Sequence, residues 1–375
     1  MRGWASILCR PGRLSMNPGG VPRLDDPPRT YNPDWMSGRS PVPDAGALPP
    51  LRWFGAADVV ASMPPIEERL RLAEQTMTAL ARPGASELPA KIGIHPRPGS
   101  SFAHAMPAHL RADGIADDLV GMKWVAGFPT NNATGLPSIS AVVVLNDPET
   151  GVPTAILDAG PITAQRTAAI SGIAIRHFGP GRAASDVALV GAGVQGHTHL
   201  PMIGSVLPGA TLHLFDRHPE RAAALAEEAR GTPGIGDAVA HDTARSAVEA
   251  ADVVITAASF AAPSERQSMT NAWLRPTATV VPVDYATMCA AEVARDAALF
   301  LVDHVEQFLA NREAGQFDGY PEPAATLGEA ILAGTPRPEG RVVVTHLGVG
   351  LADLVFADVI VRAAIAAGRG TTLPR

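Results

Sequence analysis

An apolar run, Val187-Ala-Leu-Val190, enters a turn with glycines at Gly191, Gly193 and Gly196, and an acid, Asp216, follows twenty residues after the third glycine. Few folds accommodate this pattern. A parallel strand must turn tightly into a helix: Gly191 permits the turn, Gly193 lets the backbone approach a phosphate, and Gly196 lets helix and strand pack closely. The helix start, where Val194 and Gln195 follow the glycines, offers unpaired N–H donors and about half a positive charge to a pyrophosphate. The segment Ala210-Thr-Leu-His-Leu-Phe-Asp216 reads as a second strand ending on the acid, where a carboxylate meets ribose hydroxyls. Glycine-rich turns occur in many loops, but strand, turn, helix and acid together predict a dinucleotide site. Asp216 should repel a 2′-phosphate and so favours NAD, while Arg217, His218 and Arg221 keep NADP open.

The segments around this turn predict the fold class. Val187–Val190, Leu212–Phe215, Val253–Ala257, Thr279–Val283 and Leu299–Val302 alternate with helical stretches, as in a parallel sheet covered on both faces. Upstream, a helix is signalled from Pro64 by early prolines and acids, then Ile66, Leu70, Ala73, Met77 and Leu80 at helical spacing. Residues 88–160 read as strands, with a hairpin turn at Asn146-Asp-Pro-Glu-Thr-Gly151 between Ile139–Leu145 and Val152–Leu157. Thr163–Phe178 looks helical. A strand at Val342–Thr345 leads through Gly348 and Gly350 into an alanine-rich helix ending at Gly368, expected to cross back to the first part of the chain. The expectation is an α/β protein with a Rossmann domain over 166–340 and a mixed α+β domain over 51–165 completed by 341–375. Residues 1–50 hold ten of the 35 prolines and read as a loosely packed extension, with Met16 or Met36 as alternative starts.

Composition narrows the function. At 375 residues, with 46% hydrophobic and 18% charged residues, the chain can bury real cores. A net charge of −7 carries no footprint for nucleic acid. No apolar run approaches the ~20 residues of a membrane-spanning helix, and Trp4–Leu8, followed by Arg10, is too short for a signal peptide. Two cysteines, Cys9 and Cys289, make no disulfide framework. A cytoplasmic enzyme is expected.

Several motifs point further. Lys123-Trp-Val-Ala-Gly-Phe-Pro-Thr-Asn-Asn132, Gly135-Leu-Pro-Ser-Ile-Ser140, Asp147-Pro-Glu-Thr-Gly151, Thr163-Ala-Gln-Arg-Thr-Ala168 and the glycine turn occur in that order. In order and spacing the chain resembles the ornithine cyclodeaminase/μ-crystallin family, from about Leu51 to the C-terminus. The resemblance implies a homodimer whose non-Rossmann domains, which bind substrate and dimerise, join their sheets. It also implies a site between the two domains, and hydride transfer between nicotinamide and the α-carbon of a small amino or imino acid.

The resemblance also assigns residues. Arg166 falls on the family's carboxylate-binding arginine, a role that suits a bidentate guanidinium; otherwise it is a surface arginine on an alanine-rich helix. Thr167 falls with it, on the cofactor side. Lys91 and Lys123 are the only lysines in the chain. Lys123 is expected to bind the carboxylate or, if desolvated, to exchange protons with the substrate nitrogen, and Lys91 stands where the family usually has an arginine. Asp284, at the end of Thr279–Val283, looks like the catalytic aspartate that moves a proton to or from that nitrogen; its other reading is a helix cap. In the ornithine-specific enzymes an acid precedes the Met-Pro step, whereas Met106-Pro107 here follows His104-Ala105. Ornithine's terminal ammonium would go poorly paired, so His104 and Met106 are expected to meet a different side chain, or His104 is simply a half-buried histidine. No metal is expected: His197 and His199, two apart on a helix, face different ways. The leading expectation is an NAD(P)-dependent imine reductase or amino-acid dehydrogenase. Its rivals are a cyclodeaminase that releases ammonia and a non-catalytic binding protein.

Overall fold

Alternating apolar strands build one sheet of the chain and continuous apolar runs most of the other. The computed structural model describes residues 48–97, 101–181, 186–259 and 261–375. The extension assigned to 1–50 lies, up to residue 47, outside the described residues, and everything below concerns the unit Pro49–Arg375. Its strands are β1 (Leu51–Phe54), β2 (Ser86–Glu87), β3 (Ile92–Ile94), β4 (Phe102–Leu110), β5 (Leu119–Gly127), β6 (Ile139–Asn146), β7 (Pro153–Asp158), β8 (Asp186–Val190), β9 (Ala210–Phe215), β10 (Ile235–Ala240), β11 (Val253–Thr256), β12 (Thr279–Pro282), β13 (Leu299–Val302), β14 (Ala325–Thr326), β15 (Val342–Thr345) and β16 (Thr371–Leu373).

The first sheet runs β16–β1–β7–β6–β5–β4–β2, with β3 also on β4, and is antiparallel except where β1 meets β7. The β6–β7 turn is held by the Asp147 carboxylate, which accepts the N–H of Glu149 and Thr150 and the Thr150 hydroxyl, an Asx turn. Pairing places Met106 opposite Lys123, Lys123 opposite Val143, Val143 opposite Leu157 and Leu157 opposite Phe54. Because facing residues of paired strands share a face, these five form one row, and all five are buried. A lysine sits in the middle of an apolar stripe.

The second sheet is parallel throughout, in the order β10–β9–β8–β11–β12–β15–β13–β14. Its first five strands follow the doubly wound order, with β15 inserted ahead of β13. The reversal of strand order falls between β8 and β11, so the crevice for a ligand opens at their carboxyl ends. Strands buried on both faces read as continuous apolar runs, as Val187–Val190 does.

Two helices bring the sheets' residues together. Gly160–Phe178 is buried along most of its length, its alanines permitting close approach, and its end is tied to β12 by the Thr279 hydroxyl donating to the Phe178 carbonyl at 2.7 Å. It starts three residues before the expected Thr163 because Pro161 occupies its first turn. Gly350–Ala366 leaves β15, packs over β4, β5 and β6, and leads to β16, which pairs antiparallel with β1. Among the described residues no helix is long and apolar enough to cross a membrane.

Candidate active site

The buried row of the first sheet presents Lys123, 1% exposed, to the helix Gly350–Ala366. There its Nζ stands 2.6 Å from Oδ2 of Asp353. Arg166 reaches the same carboxylate from the helix Gly160–Phe178, its Nε donating to Asp353 Oδ1 at 3.1 Å. One fully buried acid thus holds two cations. Burial works to raise the Asp353 carboxyl, yet Arg166 and Lys123 together hold it below the usual carboxylate range. Burial dominates for Lys123 and, with Asp353 opposing and Arg166 adding to it, brings the amine down to about 7. The fork end of the Arg166 guanidinium abuts Gly348: a Cβ there would lie 2.6 Å from Nη1 and 2.7 Å from Nη2. Gly348 also has φ +80°, a conformation that suits glycine alone.

Lys91 precedes β3 and reaches across to the second sheet. Its Nζ donates to the Leu347 carbonyl at 2.7 Å and to the Tyr285 hydroxyl at 3.2 Å. Burial brings it down to about 8, with Asp303 opposing. Three cations, Lys91, Lys123 and Arg166, therefore meet two carboxylates, Asp353 and Asp303. With both lysines protonated and both acids ionised, the excess is one positive charge, the complement of one substrate carboxylate.

Asp284 follows β12. Its Oδ1 accepts the Thr256 hydroxyl at 2.9 Å and its Oδ2 the Ala258 N–H at 3.1 Å. Burial outweighs these bonds and pushes the carboxyl up to about 7, so it holds or yields a proton near neutrality. The next residue, Tyr285, has φ +60°, a strained conformation for a bulky side chain, and it places the hydroxyl against Lys91.

At the glycine turn, a Cβ on Gly191 (φ +113°) would lie 2.4 Å from the Ala257 carbonyl, and one on Gly196 would lie 2.3 Å from the Gly191 carbonyl. A Cβ on Gly193 would meet nothing. The protein itself requires Gly191 and Gly196; the space over Gly193 is left for something else, as a pyrophosphate would need. Val194 opens the helix Val194–Val206 and is exposed, while Gln195 beside it has a buried Oε1 with no partner. The Asp216 carboxylate accepts the Ala192 and His218 N–H groups at 2.8 and 2.9 Å, which ties β9 to the turn and leaves lone pairs for ribose hydroxyls. The exposed Arg217 follows it. These residues fit a dinucleotide.

The family profile of the ornithine cyclodeaminase/mu-crystallin family matches residues 57–366. The chain belongs to that family. It is 32% identical to the nodulation efficiency protein NfeD of Rhizobium meliloti over 86% of this chain and 98% of the relative. It is 31% identical to the mouse (Mus musculus) ketimine reductase mu-crystallin over 69% of this chain and 79% of the relative. The Thermococcus litoralis Δ1-pyrroline-2-carboxylate reductase, solved with NADH and L-proline, superposes with a TM-score of 0.73 at 25% identity, covering 86% of this chain and all of that one.

Within this family fold the remaining expected residues lie as follows. Met106 is 3% exposed, with its carbonyl under Gly350, where a Cβ would come within 2.5 Å. His104, two residues along the same strand face, stacks on Phe102 with centroids 4.7 Å apart. Burial, then Lys91, His95 and Lys123, lower it to about 4, so it is neutral. Thr167 is buried beside Arg166. His197 pairs at the surface with Glu228 at 2.6 Å, whereas His199 is buried and bonds Ser171, so the two diverge. Sequence reasoning missed Asp353. Its signal was available: a single acid in the apolar stretch Gly350-Leu-Ala-Asp-Leu-Val-Phe356, where a buried charge implies a partner.

Proposed function

We propose that this chain is an NAD(H)-dependent imine reductase or amino-acid dehydrogenase acting at the α-carbon of a small amino or imino acid. The observation that carries the reading is the pairing of Lys123 and Arg166 on one buried Asp353, with Lys91 alongside. This arrangement sets rigid cations with one excess charge for a substrate carboxylate. Family membership and the names of the relatives support the same chemistry. When bound at the Gly191–Gly196 turn, the dinucleotide supplies or accepts the hydride.

The chain's own residues do the rest. Arg166, with Lys123 and Lys91, fixes the carboxylate and hence which face of the α-carbon is presented. In reduction, protonated Asp284 gives its proton to the substrate nitrogen; in oxidation, its carboxylate takes one back. Lys123, titrating near neutrality, is the second proton-exchanging group. His104 and Met106 border the side-chain end. The charges acting on His104 are all cationic, Lys91, His95 and Lys123, so a terminal ammonium is disfavoured and with it the ornithine cyclodeaminase reading. Assaying ornithine and a cyclic 2-imino acid with measurement of both ammonia and NADH separates the two.

The outer face of the first sheet carries Ile92, Ile94 and Trp124 at 65, 58 and 40% exposed. A second copy of the chain, as the family resemblance implies, suits this apolar face. A reducing cytoplasm suits buried, unpaired Cys289.

A further inference from the structure

We propose that Asp303 is a positioning residue of the carboxylate-binding end: it holds the Leu347–Gly348 segment that seats Lys91 and Arg166, and it supplies the negative charge that keeps Lys91 cationic. The inference rests on the reading of Lys91 and Arg166 as substrate ligands given above. Asp303 follows β13, is 1% exposed, and accepts the N–H of both Leu347 and Gly348 on one oxygen, Oδ2, at 2.9 and 2.7 Å. Gln307, in the helix Val305–Glu313, donates to the Gly348 carbonyl at 3.0 Å. The Gly348 peptide is thus tethered at both ends, and Gly348 is the residue that Nη1 and Nη2 of Arg166 abut. The Leu347 carbonyl, fixed by the same acid, receives the Lys91 ammonium.

The second oxygen, Asp303 Oδ1, is buried and has no hydrogen-bond partner. A buried carboxylate with a bare oxygen is costly unless a cation offsets it, and Lys91 is the cation whose charge acts on it most strongly. Burial works to raise the Asp303 carboxyl, against Lys91, the two N–H groups and His304. Around Lys91, Asp303 and Asp353 favour the charged amine, while Arg166 and burial oppose it; Lys123 and His104 also feel its charge, and the Tyr285 hydroxyl touches it. Asp303 is the largest stabilising charge in that set.

The chain has only two lysines, so the full-length protein labelled with 13C-lysine shows two side-chain signals, assigned by the Lys91→Arg variant. Asp303→Asn keeps an acceptor oxygen for both N–H groups and removes the charge. The Lys91 titration midpoint should fall by about one unit or more, with Lys123 much less affected. An unmoved or raised Lys91 midpoint overturns the proposal. Gln307→Leu cuts the other tether without changing charge: the substrate KM should rise several-fold with kcat nearly kept and the Lys91 midpoint in place. An unchanged KM overturns the tethering role, including where Asp303→Asn fails to fold. Lys91→Ala separates the two readings, since an unchanged KM there removes Lys91 from substrate binding while the midpoint still decides Asp303.

Discussion

Lys123 Nζ lies 2.6 Å from Asp353 Oδ2, at a place where strand β5 and the helix Gly350–Ala366 bury both side chains. The two residues are 230 apart in sequence, and Arg166 shares the same acid. Breaking a buried pair by removing one partner leaves an uncompensated charge and costs about 3–5 kcal/mol. Asp353→Ala should therefore lower the melting temperature by that equivalent and reduce kcat/KM by at least 100-fold. Calorimetry and steady-state kinetics check both; wild-type stability would remove Asp353 from the site's foundation.

The pH dependence follows from three groups. Asp284 is protonated below about 7, and Lys123 and Lys91 are charged below about 7 and about 8. Reduction needs the acid form of Asp284 and a cationic clamp, so its kcat/KM should decline as pH rises through 7 to 8. Oxidation needs the carboxylate form and should gain with pH until the clamp discharges. Rate profiles in both directions test the sign.

Asp284→Asn keeps the side-chain shape, gives up one of the two acceptor oxygens and holds no transferable proton. Turnover should fall by about two to four orders of magnitude, the usual size of a general-acid contribution, while NADH binding, followed by fluorescence, stays near wild type. Unchanged turnover excludes Asp284 from proton transfer.

The glycines of the dinucleotide turn should separate by cause. Gly191→Ala and Gly196→Ala drive a Cβ into carbonyl oxygens and should destabilise the fold by about 1–3 kcal/mol. Gly193→Ala meets no protein atom, so its stability should stay within about 0.5 kcal/mol while its affinity for NADH drops at least tenfold. Thermal melts paired with NADH titration distinguish the two classes.

Trp124→Glu places a charge on the exposed face of the first sheet. If that face joins two copies, the variant should sediment as a monomer at concentrations where the wild-type chain is dimeric.

Much of this fold is legible because its strands announce themselves. Leu299–Val302 and Val342–Thr345 coincide with their apolar runs, and Val187–Val190 gains only Asp186. Strand β10, Ile-Gly-Asp-Ala-Val-Ala, is illegible for a physical reason: it lies at the sheet edge, mostly exposed, so nothing selects an apolar run. The three-residue β16 is short enough to have no period. At the site, the glycine turn and Asp284 show in local pattern, since a strand end and a turn are local events. The sharing of Asp353 by Lys123 and Arg166, and the tether from Asp303 to Leu347 and Gly348, join segments far apart in the chain, and no spacing rule encodes them.

The most direct test supplies the purified protein with NADH and a cyclic 2-imino acid, and separately with NAD and ornithine, following nicotinamide absorbance and free ammonia together. The account predicts stoichiometric loss of NADH with formation of the cyclic amino acid, and no ammonia from ornithine. Ammonia released from ornithine with no net change in NADH, and no reduction of the imine, would contradict it.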